Sequence, residues 1–313
     1  MKSDKKKNKG RLSDNKYIKD IVQNREVYIL FIPVLVYYIV FKYLPMTGAM
    51  IAFKDYIPSQ GILGSPWVGF KHFERFFTSP RAMLVIRNTF KIGIANMIFG
   101  FPMPIIIAVL FNEIRNKYFK KMVQSVSYLP HFISLVVVCG MIRQFTSEDG
   151  FISYIVAMLG GERQTLLNVP EYFLPIHVIS GIWKEMGWSS IVYIAAISGI
   201  NAELYEAARV DGASRIRQIW SVTLPGILPT IIVMLILRVG SIISVGYEKI
   251  ILLYNPVIYN TSDVISTYVY RTGLQQFEYS FSTAVGLFNS AINFVFLFAT
   301  NMLSRKFSDT SLW

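Results

Sequence analysis

Six mainly apolar stretches recur along the 313-residue chain, each long enough to cross a bilayer as a helix. They lie near Val27–Tyr43, Ile92–Phe111, Ser127–Phe145, Ile176–Ile200, Ile227–Ile250 and Phe281–Leu303. The hydrocarbon core offers the backbone no hydrogen-bond partner, so such a stretch must be helical. Composition agrees, since 53% of the residues are hydrophobic and only 16% are charged, against about 25% in soluble domains. The pattern predicts an all-α polytopic membrane protein with six transmembrane helices.

The positions of the basic residues predict how these helices are oriented. The net charge is +12, and nine of the 31 Lys and Arg residues precede Glu26. Further groups follow the second stretch (residues 115–121), the fourth (residues 209–217) and the sixth (residues 305–306). Because cytoplasmic connections are enriched in Lys and Arg, both termini are predicted to lie in the cytoplasm, with the chain in the cell membrane. Contact with anionic lipid explains this charge better than nucleic acid does.

One membrane domain is predicted, flanked by two short tails. Residues 1–26 form a basic cytoplasmic tail in which an interfacial amphipathic helix is expected. Residues 27–306 form the transmembrane domain, and residues 307–313 form a cytoplasmic C-terminal tail. Within the second stretch, Gly100, Pro102 and Pro104 predict a kink or an unwound turn.

A polar segment, Glu203–Thr230, separates the fourth and fifth apolar stretches. Its first part, "ELYEAARV", is a strong helix former, and Gly212 is expected to end that helix in a left-handed conformation. "ASRIRQIWSV" then predicts a second short helix, which Pro225 and Pro229 are expected to terminate before the next span begins. The product is a helix–glycine–helix elbow on the cytoplasmic side.

The residues of this segment resemble the "EAA" loop in permease subunits of ATP-binding-cassette importers, which have the type I importer fold. The matching positions are Glu206, Ala207, Ala208, Asp211, Gly212, Ala213, Leu224, Pro225 and Pro229. We call residues 203–230 the EAA loop. The chain is most similar to carbohydrate permeases of the maltose-transporter type. Its ending "LLYNPVIYNTSDVISTYVYRTGL" resembles a subgroup linked to uptake of oligosaccharides or polysaccharide fragments in Gram-positive bacteria.

The resemblance implies a subunit that couples transport to ATP hydrolysis elsewhere. Two copies of a separate ATPase would bind ATP and Mg²⁺ and receive the EAA loop in a surface groove. An extracellular solute-binding lipoprotein would deliver the carbohydrate, and a second homologous permease would supply the other half of the pathway. The chain itself has no G-x-x-x-x-G-K-[ST] phosphate-binding stretch, so no catalytic residue and no cofactor of its own are predicted.

Polar and aromatic residues in the fourth and fifth stretches are candidates for substrate contacts. Ionisable side chains are costly at membrane depth and mark functional sites by default, while sugars stack on aromatic rings. The candidates are Trp183, Lys184, Glu185 and Trp188, then Ser241, Ser244, Tyr247 and Glu248. An interfacial aromatic belt with a local ion pair is an alternative explanation for the first four, and helix packing for the others. Arg238 is read as snorkelling toward the cytoplasmic surface.

Two other functions are compatible with a polytopic chain. An ion-coupled secondary carrier is the main alternative, although Glu185 and Glu248 are the only carboxylates near the spans and no internal repeat is visible. A membrane-embedded enzyme acting on glycolipids would need paired carboxylates or a metal cluster, and Glu148–Asp149 is the one outer acidic pair. A metal site has little support, because three histidines stand apart in the sequence: His72, His131 and His177.

Overall fold

The structure, a computed structural model, describes residues 23–307 of the chain. Most of the basic tail with its expected interfacial helix, and nearly all of the C-terminal tail, lie outside the described residues. Within them the regular structure is helical, apart from an isolated antiparallel bridge between Lys54 and Trp67. The predicted all-α fold is therefore confirmed.

Twelve main helices build the bundle, with short single turns between some of them. The first six are α1 (Arg25–Phe53), α2 (Lys71–Thr78), α3 (Pro80–Glu113), α4 (Lys117–Phe132), α5 (Leu135–Phe145) and α6 (Phe151–Met158). The second six are α7 (Pro170–Ser198), α8 (Ala202–Val210), α9 (Arg215–Gly240), α10 (Tyr247–Leu253), α11 (Ile265–Tyr270) and α12 (Tyr279–Phe307).

Each of the six predicted spans is largely helical, although two of them are interrupted. Among the described residues, α1, α3, α9 and α12 are long and apolar enough to cross a membrane, and α4 with α5 count as a fifth if the bent pair is one span. The fourth predicted span is α7, which has 29 residues but carries Lys184 and Glu185 in its middle. Its length suits a span, whereas its composition is more polar than that of the others.

Two predicted spans are broken rather than continuous. The helices α4 and α5 meet at an angle of 97°, because Ile133 is extended and the Ser134 side chain accepts a hydrogen bond from Val137 N and so begins a new helix. The fifth span ends at Gly240 instead of Ile250. There the Ser241 hydroxyl donates to the carbonyl oxygens of Leu237 and Arg238, which satisfies the end of α9.

The prolines of the EAA loop do not terminate a helix, contrary to the prediction. Helix α9 runs unbroken from Arg215 through Pro225 and Pro229 to Gly240. A π-helical turn, Ile219–Thr223, precedes Pro225 and widens the backbone, which relieves the clash between the proline ring and the preceding turn. Similar turns precede Pro45 (Ile39–Tyr43) and Pro102 (Asn96–Gly100). The last of these lies in the second stretch, where a kink or an unwound turn was predicted, but α3 continues through it as one helix.

The core is formed by α3, α5, α7, α9 and the segments after α9. One cluster joins Ile92, Cys139 and Phe173 to the residues around α10, and a second joins Val109 and Ile227 near the EAA loop. Helices α4 and α7 approach closely at Gly187, where an added Cβ would lie 2.0 Å from the Ser127 carbonyl oxygen. In contrast, the apolar window of α1 has no buried residue within the chain.

Candidate functional site

The first helix of the EAA loop is a short element with a cap at each end. The Asn201 side chain accepts a hydrogen bond from Glu203 N and begins α8. At the other end Gly212 has a φ of +73°, and the amide of Ala213 donates to the carbonyl of Ala208 at 2.9 Å. This is the left-handed C-cap predicted from the sequence. The motif residues Glu206, Ala207 and Ala208 thus lie on one rigid helix.

Polar contacts connect α8 to the start of α9. The Ser214 side chain caps α9 by accepting from Arg217 N, and Gln218 Nε2 donates to the Ala213 carbonyl at 2.8 Å. The Tyr205 hydroxyl lies 3.0 Å from Oγ1 of Thr223, whose side chain is buried. The contact between Tyr205 and Thr223 joins the two helices directly, and the Gln218 bond ties α9 to the turn between them, so the two limbs would move together.

The outer side of the elbow is free to contact another protein. Val210 is 87% exposed, and Glu206, Ala207, Asp211, Gly212 and both prolines are also exposed, while Ala208, Ala213 and Leu224 are half-buried. The exposed motif residues are therefore accessible to another protein.

A cleft of about 630 Å³ lies between this helix and the C-terminal end of α3. Arg215 Nη1 lies 3.3 Å from Glu113 Oε2 across the cleft, an ion pair that joins α9 to α3. Other charged residues that line the cleft are Arg115, Glu206 and Arg209. The EAA loop therefore contacts two membrane helices, α9 through the chain and α3 through this pair.

A second cavity, of about 460 Å³, lies among the membrane helices, and we call it the membrane cavity. Its walls come from α3 (Asn96, Gly100, Phe101, Pro104), α7 (His177, Val178, Gly181, Ile182, Glu185, Met186, Ser189, Tyr193), α9 (Met234, Arg238), the break that follows α9 (Ser244, Val245, Gly246) and α10 (Lys249). The volume is in the range of small-molecule sites. The break in the fifth span thus opens a polar space at membrane depth.

The structure brings two of the eight predicted substrate-path residues to this cavity, Glu185 and Ser244. The other six do not line it: Trp183, Lys184, Trp188, Ser241, Tyr247 and Glu248. Trp183, Trp188, Tyr247 and Glu248 are exposed on the surface of the chain.

The C-terminal end of α4 is contacted by three of the predicted residues, Lys184, Glu185 and Trp188. Glu185 Oε2 lies 2.9 Å from His131 Nδ1, and Lys184 Nζ donates to the His131 carbonyl at 2.8 Å. The Trp188 ring stacks on the His131 ring at 4.6 Å, with 4° between the planes. These contacts satisfy a helix end at the 97° bend, so they fix the break between α4 and α5.

The cavity also contains polar residues that the sequence reasoning missed or read differently. His177 and Lys249 were not among the candidates, and Arg238 was expected at the cytoplasmic surface, yet all three line the cavity. The signal that could have found them is an ionisable side chain inside an apolar stretch. Groups of His, Cys, Asp and Glu that could hold a metal ion are absent from the described part of the chain.

Two proteins of Bacillus subtilis are similar to this chain over most of its length. A permease of the polygalacturonan/rhamnogalacturonan transport system of Bacillus subtilis (strain 168), YteP, is 42% identical over 294 residues, covering 94% of this chain and 92% of that one. Protein LplB of the same organism is also 42% identical, over 93% of this chain and 92% of its own length.

Solved structures agree with these relatives. A chain from a bacterial ABC transporter for import of the acidic polysaccharide alginate matches with a TM-score of 0.87 and 44% identity, covering 93% of this chain and 99% of that chain. The same transporter in complex with an alginate pentasaccharide-bound periplasmic protein matches with a TM-score of 0.88 and 43% identity, over 95% and 100%.

The family description "Binding-protein-dependent transport system inner membrane component" matches residues 100–309. This range includes the whole EAA loop and most of the membrane cavity. The predicted ABC importer permease is thereby confirmed, and the alternatives of a secondary carrier and a membrane enzyme are not supported. ATP hydrolysis in such transporters takes place on a separate subunit. The chain belongs to the binding-protein-dependent transport system inner membrane components, the permease subunits of ATP-binding-cassette importers.

Proposed function

We propose that this chain forms half of the transmembrane pathway of an oligosaccharide importer. A second, homologous permease completes the pathway, two ATPase copies bind ATP and Mg²⁺, and an external solute-binding lipoprotein delivers the oligosaccharide. The chain lies in the cell membrane with both termini in the cytoplasm. The relatives support this substrate class, because they are named for polygalacturonan, rhamnogalacturonan and alginate.

The observation that carries the proposal is the rigid connection between the EAA loop and the walls of the membrane cavity. Helix α8 presents Glu206 and Val210 outward, where an ATPase groove would receive them. Its other side is joined to α9 through Tyr205 and Thr223. Since α9 contributes Met234 and Arg238 to the cavity wall, displacement of α8 would displace that wall.

A second connection reaches the opposite wall. Arg215 at the start of α9 pairs with Glu113 at the inner end of α3, and α3 contributes Asn96 and Pro104 to the cavity. Closure of two ATPases would therefore push on both α9 and α3. An alternating opening of the cavity toward the two sides of the membrane follows from such paired movement.

The proposed coupling contacts are those of the EAA motif: Glu206, Ala207, Ala208, Asp211, Gly212, Ala213, Leu224, Pro225 and Pro229. Of the substrate contacts expected from the sequence, we retain Glu185 and Ser244, which line the cavity. Trp183, Trp188, Tyr247 and Glu248 are exposed, so a contact with substrate would require the second permease to enclose them.

The test is reconstitution of the complete transporter in liposomes. We expect ATP-dependent uptake of a labelled oligosaccharide only when the ATPase, the second permease and the binding protein are all present. Co-purification from mild detergent should recover the ATPase with this chain, and Val210→Asp should reduce that recovery. The matched control is Leu63→Asp, because Leu63 is 86% exposed and lies outside the EAA loop. ATP-independent uptake at full rate by the isolated chain would contradict the proposal.

A further inference from the structure

We propose that Lys249 and Arg238 bind a carboxylate of the transported sugar, so that the membrane cavity selects acidic oligosaccharides. This inference rests on the proposed function, since it assigns a ligand chemistry to the same cavity. The observation behind it is an excess of cationic side chains facing a space at membrane depth. Lys249 and Arg238 both line the cavity.

Lys249 reaches the cavity from the first turn of α10, directly after the break in the fifth span. Its Nζ donates to the His177 carbonyl at 2.7 Å, which uses one of the three N–H groups of the ammonium. The ammonium passes close to α7, where a Cβ added to Gly181 would lie 3.2 Å from Nζ. Gly181 therefore leaves the room that Lys249 needs, and two N–H groups remain for a ligand.

Arg238 approaches from the last turn of α9. It lines both the membrane cavity and a small adjoining space that also contains Asn96 and Ser244. Among the described residues, neither Arg238 nor Lys249 forms an ion pair with a carboxylate. A guanidinium presents two parallel N–H groups, which match the two oxygens of a carboxylate.

Glu185, the acidic residue among those that line the cavity, forms no ion pair with Lys249 or Arg238 in the described part of the chain. Its carboxylate is held at 2.9 Å by His131 and at 3.3 Å by Lys184. The cavity is thus lined by two cations without a paired carboxylate among the described residues, the exposed Arg238 and the half-buried Lys249. An unpaired charge is costly where it is withdrawn from water, as for Lys249. An anionic group on the substrate supplies the missing charge.

The remaining polar groups of the cavity suit a sugar ring. His177 is only 3% exposed, and its Nδ1 is buried without a hydrogen-bond partner in the described structure. Asn96, Ser189 and Ser244 add further donors and acceptors. A carboxylate with adjacent hydroxyls describes a uronic acid residue.

The experiment uses the reconstituted transporter with its binding protein and two matched probes. One probe is labelled trigalacturonate and the other is its methyl ester, which has the same sugar backbone without the negative charge. The measured quantity is the ratio of initial uptake rates, acid to ester. The variants are Lys249→Gln, which keeps a donor for the His177 carbonyl, and Arg238→Gln. The control is Lys91→Gln, because Lys91 is an exposed cation on α3 that does not line the cavity.

We expect each cavity variant to lower the acid-to-ester ratio by about ten- to a hundredfold, the loss typical of one charged hydrogen bond, while the control ratio equals that of the wild type. Lys249→Arg should retain a ratio near the wild-type value. An unchanged ratio in both cavity variants would overturn the inference even though uptake itself continues. If the wild-type transporter takes up neither probe nor any other oligosaccharide, the proposed function fails instead.

Discussion

The hydroxyl of Tyr205 lies 3.0 Å from Oγ1 of Thr223, and this contact joins the first helix of the EAA loop to the base of α9. Thr223 is 1% exposed, so its hydroxyl has little access to water. The two residues are separated by the left-handed turn at Gly212. A force on α8 thus reaches α9 through a side-chain contact as well as through the backbone.

Removal of this contact should weaken coupling more than assembly. Tyr205→Phe leaves the Thr223 hydroxyl buried without a partner, which costs about 1 kcal/mol. We expect fewer oligosaccharide molecules transported per ATP hydrolysed, with the ATPase still bound. The matched control is Tyr118→Phe, since Tyr118 is 88% exposed. An unchanged transport-to-hydrolysis ratio in Tyr205→Phe would show that the contact carries no force.

Gly212 should tolerate only residues that accept a left-handed backbone. Its φ is +73°, a conformation that costs most other residues about 1–2 kcal/mol. No atom lies within 4 Å of an added Cβ, so the effect is conformational. Gly212→Trp should insert in the membrane normally but uncouple ATP hydrolysis from uptake. Gly212→Asn should retain more activity, because asparagine adopts this conformation more readily. Equal activity of the two variants would rule out the conformational explanation.

The carboxylate of Glu206 is expected to contribute to ATPase binding. Glu206 is exposed on α8 beside the charged cleft, and Glu206→Lys would reverse its charge at the proposed interface. We expect about tenfold weaker association, the effect of losing one charged contact, measured by titrating the ATPase onto the purified permease. Glu162→Lys makes the same charge change on an exposed residue between α6 and α7. If both variants bind equally, Glu206 lies outside the interface.

The contact between α4 and α7 should be sensitive to a single methyl group. A Cβ at Gly187 would lie 2.0 Å from the Ser127 carbonyl oxygen, so Gly187→Ala requires the helices to separate. Overpacking of this kind destabilises by about 1–3 kcal/mol. We expect a lower thermal transition in detergent, measured by following the fraction of soluble protein on heating. Gly286→Ala on α12 is the control, because nothing lies within 4 Å of its added Cβ.

A buried ion pair in the segment after α10 should be important for stability. Arg271 Nη2 pairs with Asp263 Oδ2, and the two side chains are 11% and 2% exposed. Thr267 Oγ1 also donates to Asp263 at 2.7 Å. Asp263→Asn would leave the guanidinium without its counter-charge, which costs about 3–5 kcal/mol. The exposed pair of Arg163 with Asp149 provides the control, since Asp149→Asn should cost at most about 1 kcal/mol. Thermal melting of both variants distinguishes the two cases.

Local backbone chemistry made part of the structure predictable. The left-handed cap at Gly212 follows from sterics that act within a few residues, and the helical spans follow from the lack of hydrogen-bond partners in lipid. The continuity of α9 through Pro225 did not follow, because it depends on the widened turn Ile219–Thr223. Proline normally predicts the end of a helix, and no short sequence pattern predicts a widened turn that accommodates its ring.

The polar lining of the membrane cavity was harder to predict, because its members meet only in three dimensions. Lys249 bonds the carbonyl of His177, which is 72 residues away in the sequence. Lys184 and Trp188 have the composition of a sugar site, yet both contact His131 at the bend between α4 and α5. Residue type identified which side chains were unusual for a membrane helix, but not which of them shared a space.

The π-helical turns before Pro45, Pro102 and Pro225 determine how many backbone hydrogen bonds a helix must lose in order to bend. A proline has no amide proton, so one backbone hydrogen bond of the helix is already missing at each of these places. A helix that bends at such a turn keeps the backbone hydrogen bonds on either side of it. Bending of these helices during a transport cycle would then be reversible. We expect amide protons beside these turns to exchange with solvent deuterium sooner than those in the straight parts of the same helices.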